Sequence, residues 1–107
     1  MDRAAIDEQN KQISRIQKLT GDQSIVGEWK NVRSDNNFWH VFNADGTWKT
    51  NSFNEDYSTT NGVFLFVDDV LKTYSDTRVL TVSAEISGDN LTIVYPNGFQ
   101  ATYRRHI

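Results

Sequence analysis

The chain has 107 residues, 37% apolar and 23% charged, with a net charge of −3 and no cysteine. That length suits one domain, and the missing cysteine excludes a disulfide scaffold, a thiolate metal site and a cysteine nucleophile. A sequence pI near 5.2 argues against nucleic-acid and polybasic membrane binding. No apolar run approaches the roughly 20 residues of a membrane span, and the first residues lack a signal-peptide core.

Residues 2 to 20 are rich in Gln, Lys, Arg, Glu and Ala, with no Gly or Pro, which predicts a helix. Asp2 is a suitable N-cap, and Gly21 is placed to end the helix. Ile6, Ile13, Ile16 and Leu19 form a narrow apolar stripe at helical spacing. A helix with so small an apolar face needs something to dock on. The expected organisation is residues 1–22 as a docking helix and 23–107 as the main domain.

From Ser24 onward, β-like runs alternate with turns. Eight strands are expected: Ile25–Val32, Phe38–Asn43, Thr47–Phe53, Gly62–Val67, Val70–Tyr74, Arg78–Ile86, Leu91–Tyr95 and Phe99–His106. Short strands at regular spacing, with no helical pattern between them, predict an antiparallel sandwich or barrel and exclude βαβ units.

Three turns set the register. Asn43-Ala44-Asp45-Gly46 has the chemistry of a type I turn with a glycine bulge, pairing Phe42 with Trp48 and His40 with Thr50. Ser87-Gly88-Asp89-Asn90 sets Ile86 opposite Leu91. Pro96-Asn97-Gly98 pairs Tyr95 with Phe99, Ile93 with Ala101 and Leu91 with Tyr103. One apolar face then carries Leu80, Val82, Ala84, Ile86, Leu91, Ile93, Tyr95, Phe99, Ala101 and Tyr103, as a meander over a single core requires. Residues 62–74 are apolar on both faces, so their orientation stays open. With Phe38, His40 and Phe42 inward, Trp39 and Val41 point outward and need cover. Ile13, Ile16 and Leu19 of the helix are the expected cover, and Trp39, Val41 and the helix are the expected surface for a homodimer or protein partner.

Gly27-Glu28-Trp29 in the first strand, Phe42-Asn43-Ala44-Asp45-Gly46-Thr47, Leu91-Thr92-Ile93 after a Gly-Asp turn, and Tyr103-Arg104-Arg105 at the end share an order and spacing. Over residues 24–107 this pattern resembles small bacterial lipocalin-like domains of the calycin type. The resemblance implies an eight-stranded up-and-down barrel, here preceded by a helix. It also implies a structural signature of Gly27 and Trp29 packed near Arg104 or Arg105. Strand parity with Tyr103 favours Arg105. An arginine over an indole contributes about 0.5–2 kcal/mol. The likeness further implies an apolar ligand and an exported or periplasmic protein, sometimes lipid-anchored; a cytoplasmic location fits the chain equally well.

Catalytic patterns are thin. His40, with Thr50 across from it, is expected to be a hydrogen-bonded structural residue or a polar contact for a ligand. His106 is expected to fray near the terminus. Asp68-Asp69 is expected as a hairpin turn, with a cation site as the alternative. Asn54-Glu55-Asp56 with Ser58, Thr59 and Thr60 forms a polar loop. No metal-binding histidine pair, phosphate loop or nucleophile elbow is present. The expectation is a non-catalytic module without cofactor or metal, binding a small apolar or amphipathic molecule. Phe42, Trp48, Phe64, Tyr95 and Phe99 would line its site, with His40, Thr50 and Tyr103 as polar contacts. The alternative is an inhibitor- or immunity-type interaction protein with a filled barrel. A weaker third reading is a small barrel enzyme using His40 with a carboxylate.

Overall fold

The structure, a computed structural model, describes residues 3–32, 38–51, 58–75 and 78–106. The expected cap Asp2, the end of the third expected strand and the run Asn54-Glu55-Asp56 lie outside these residues. Helix α1 spans Arg3–Thr20, and a 3-10 turn follows at Gln23–Ile25. Among the described residues, eight strands follow: β1 Gly27–Asn31, β2 Trp39–Phe42, β3 Thr47–Thr50, β4 Thr60–Val67, β5 Val70–Ser75, β6 Val79–Ser87, β7 Asn90–Val94 and β8 Gln100–His106. Each strand runs antiparallel to the next, and β8 returns to β1 to close the barrel. The architecture is the expected eight-stranded up-and-down barrel preceded by one helix.

The turns dictate the register as their chemistry requires. Gly46 takes φ +89° in the β2–β3 turn, where a side chain would be strained and would strike the Ser14 backbone of α1. Phe42 then faces Trp48, and His40 faces Thr50. Ile86 pairs with Leu91, Leu91 with Tyr103 and Ile93 with Ala101. Closure matches Trp29 with Arg105 and Asn31 with Tyr103. His106, the last residue of β8, pairs with Glu28 of β1.

Residues paired directly across strands share a face, which resolves the open segment. Trp48 pairs with Gly62 and Phe64 with Thr73. Phe64, Phe66, Leu71 and Thr73 therefore point inward, and all four are buried. Val63 points outward yet is buried as well, on the strand against which α1 packs.

The helix docks on a different line from the expected stripe. Ile16 and Leu19 are 47% and 72% exposed, while Gln17 is fully buried. Ile6, Asn10, Ile13 and Ser14 are half-buried on the same side as Gln17. The cause lies in β4. Its pairing with β3 ends at Val63, so Phe66 lies on an overhanging edge whose backbone groups need partners. An amide side chain at position 17 supplies one, and an aliphatic side chain cannot.

The turns at 43–46, 68–69 and 88–89, the 3-10 turn and the end of β8 gather at one end, the base. The turn at 95–99 opens the other end, the mouth. Eight strands leave an interior just wide enough to be filled by side chains or to hold one small ligand. Here the lower part is filled. Trp29, Phe42, Trp48, Phe64, Phe66, Leu71, Leu91 and Ile93 form one buried cluster.

Candidate functional site

At the base, the Arg105 guanidinium lies 4.2 Å from the centre of the Trp29 ring. Its Nη1 donates to the Val26 carbonyl at 2.8 Å and its Nη2 to the Ser24 carbonyl at 2.9 Å. The Trp29 indole N–H donates to the Ile25 carbonyl at 2.8 Å. Both side chains thus satisfy the chain just before β1, where no strand ladder is available. Gly27 makes room for this: its φ is +139°, and a Cβ there would sit 2.7 Å from Arg105 Nη1. Arg104, one residue earlier and of opposite parity, is exposed. The stacked pair and its hydrogen bonds close this end of the barrel around the chain before β1.

In the middle of the barrel, His40 is buried. Its Nδ1 accepts from the Trp48 indole N–H at 3.2 Å, so the unprotonated form of that nitrogen is required. The ring lies nearly parallel to Phe42 and Trp48, and edge-on to Tyr103 at 4.8 Å between centres. Burial pulls its pKa down to about 3, so the ring is neutral at ordinary pH. Thr50 Oγ1 donates to the Trp39 carbonyl at 2.6 Å, and Asn51 Oδ1 accepts from the Trp39 N–H at 3.0 Å. These bonds interlock His40 with Trp48, and Trp39 with Thr50 and Asn51. Trp39 and Val41 face outward, half-buried, with Lys30, Glu28 and Lys49 beside them in the register.

Above this layer the barrel opens into a cavity of about 750 Å³. Asn31 and Val32 contribute from the end of β1, Phe38 from just before β2, and Arg78 and Leu80 from the start of β6. Residues 95–97 and 99–103 form the remaining wall. The Tyr95 and Phe99 rings sit 5.9 Å apart at the rim. Phe99 is 58% exposed, so it is a rim residue and not part of the buried wall. Tyr103 is buried beneath, paired across the strands with Asn31 and, like Tyr95, lining the cavity. Burial pushes the pKa of both tyrosines up, so both hydroxyls stay protonated.

Of the residues expected to line a ligand site, Tyr95, Phe99 and Tyr103 border the cavity. Phe42, Trp48, Phe64, His40 and Thr50 lie below it, in the packed interior. Asn31, Phe38, Leu80 and Ala101 also belong to the cavity, beyond the ligand contacts expected from the sequence. Phe38, Leu80 and Ala101 were visible as inward positions, but parity alone does not say how far along the barrel axis a residue sits.

At the other end, Asp68 and Asp69 form the β4–β5 turn, both with positive φ. Among the described residues no three acidic or histidine side chains gather to hold a metal ion. No described helix is long and apolar enough to cross a membrane. In comparisons with known proteins, no family model, curated protein or solved structure matches the chain significantly.

Proposed function

We propose that this protein is a non-catalytic, lipocalin-like binding module that holds a small apolar or amphipathic molecule in the mouth of its barrel. The observation that carries this reading is the cavity of about 750 Å³ bounded by Phe38, Leu80, Tyr95, Phe99 and Ala101. Ligand pockets are typically clefts of about 300–1,000 Å³, mostly apolar, with a few placed polar groups. The mouth has that character, with Tyr103 and Asn31 as the polar groups. The Trp29–Arg105 stack at the base supports the lipocalin-like reading of the fold. His40 is engaged by Trp48 and neutral by burial, which favours a structural role over general-base chemistry.

The test is binding of the neutral fluorophore N-phenyl-1-naphthylamine. Saturable fluorescence enhancement at one site per chain is expected, weakened at least about tenfold by Ala101→Trp, which fills the cavity. No saturable binding, or binding indifferent to Ala101→Trp, would count against the reading.

A second reading, a protein-interaction module, draws on a separate observation. Ile16 and Leu19 are exposed on a helix whose opposite side is docked. Sedimentation of the purified chain, alone and as Leu19→Gln, tests the homodimeric form of that reading.

A further inference from the structure

The shape of the mouth restricts what enters it. From each contributing strand the cavity takes the residues nearest the opening and no deeper ones. It reaches Leu80 but not Val82, Tyr95 but not Ile93, Phe38 but not His40, and Asn31 but not Trp29. Those next residues inward are all buried. On β8 the lining runs from Phe99 to Tyr103 and stops before Arg105. Four residue steps at about 3.3 Å, on a strand tilted by about 40°, give a depth of roughly 10 Å. An extended long acyl chain exceeds that depth, and the filled interior offers it no continuation.

The floor is polar and uncharged. Tyr103 is paired directly with Asn31, and both share the cavity lining with Tyr95. A phenolic hydroxyl offers one donor and two acceptor positions. Tyr95 and Tyr103 thus retain capacity for one more partner, presented below the Tyr95 and Phe99 rings at the rim. Protonated hydroxyls at this floor disfavour a ligand that must bury an anion there, and the charged lining residue, Arg78, is exposed beside the start of β6, toward the opening and away from the floor.

We infer that the mouth takes a compact, neutral ring compound carrying one hydroxyl or carbonyl oxygen. The ring lies against Tyr95, Phe99 and Leu80, and the oxygen is hydrogen-bonded at the Tyr103–Tyr95–Asn31 floor. The inference rests on the binding reading above and narrows it to a ligand class.

Calorimetric or fluorescence titrations of the full chain with 2-naphthol, naphthalene and cis-parinaric acid test it. 2-Naphthol should bind about tenfold more tightly than naphthalene, the difference one hydrogen bond makes. cis-Parinaric acid should show no saturable binding. In Tyr103→Phe the preference for naphthol should shrink toward one. The wild-type comparison stands by itself should that variant fold poorly. Equal affinity for naphthol and naphthalene overturns the polar floor. Tight binding of cis-parinaric acid overturns the depth limit and the compact class. Both outcomes leave the binding reading standing. Failure of all three together with N-phenyl-1-naphthylamine removes the binding reading itself.

Discussion

The Gln17 side chain accepts a hydrogen bond from the Phe66 backbone N–H at 2.7 Å, joining the helix to the edge of β4 in place of a missing strand neighbour. Its Nε2 donates to the Asp22 carbonyl at 3.0 Å, and the Asp22 N–H donates to the Phe66 carbonyl at 2.8 Å. A glutamine and the chain after the helix together complete the ladder that β3 leaves unfinished. Gln17→Leu keeps the volume but leaves a buried N–H without a partner, so it should cost about 1–3 kcal/mol. Leu19→Gln, on the exposed side, should change stability by no more than about 0.5 kcal/mol. Urea unfolding of both variants checks the contrast, and the reverse ranking would mean that the stripe, not Gln17, docks the helix.

The base offers a second prediction. Arg105→Lys keeps the charge but loses the planar fork that reaches the Ser24 and Val26 carbonyls while lying over Trp29. A loss of about 2–4 kcal/mol is expected, from two charge-assisted bonds and the ring contact. Arg104→Lys, at an exposed position, should be near neutral. Equal effects in thermal or urea unfolding would contradict the assignment of Arg105 as the sealing residue.

His40 predicts an acid-sensitive stability. Its folded pKa of about 3 lies below the ordinary histidine value of 6.5 expected when unfolded. Below pH 6.5 the unfolded chain binds a proton that the folded chain refuses. The His40 contribution is therefore complete above pH 6.5 and declines as pH falls toward 3. By pH 5 the loss is about 2 kcal/mol. Asp45 acts lower: bonds from the Thr47 hydroxyl and N–H hold its carboxyl below the usual range, so its contribution fades only as that group protonates. His40→Phe should be less stable at pH 7, having lost the acceptor for Trp48, yet should show a smaller drop between pH 7 and pH 5. An unchanged drop would place the acid sensitivity elsewhere.

The level at which the interior becomes solid is itself testable. Ile93 is buried below the cavity, and Leu80 borders it. Ile93→Ala should cost about 2–5 kcal/mol, as deletions in packed cores do. Leu80→Ala enlarges a space that is already open, and should cost about 1 kcal/mol. Similar losses at both positions in urea unfolding would mean the mouth is packed.

Much of the barrel was legible in the sequence because local rules and long-range order agree. The glycine-bearing turn at Asn43–Gly46 sets one register, the Pro96-Asn97-Gly98 turn another, and the face that follows is apolar throughout. Strand parity also pointed to Arg105 over Arg104 opposite Trp29. Helix docking was not legible, because it is decided by an unpaired backbone edge on β4. Hydrophobic periodicity reports Ile16 and Leu19 and is blind to a glutamine that serves that edge. Nor was the depth of the cavity legible. Alternation separates inside from outside, whereas the division between His40 and Phe38, or Ile93 and Tyr95, depends on the stagger of all eight strands.

Amide chemical-shift mapping during titration of the isotope-labelled chain with N-phenyl-1-naphthylamine tests the central claim most directly. Saturable shifts are expected at Asn31, Leu80, Tyr95 and Ala101, with Phe66, Leu71, Leu91 and the α1 residues unmoved. Shifts centred on α1 or on the base turns, or no saturable shift at any position, would contradict a ligand-holding mouth above a filled barrel.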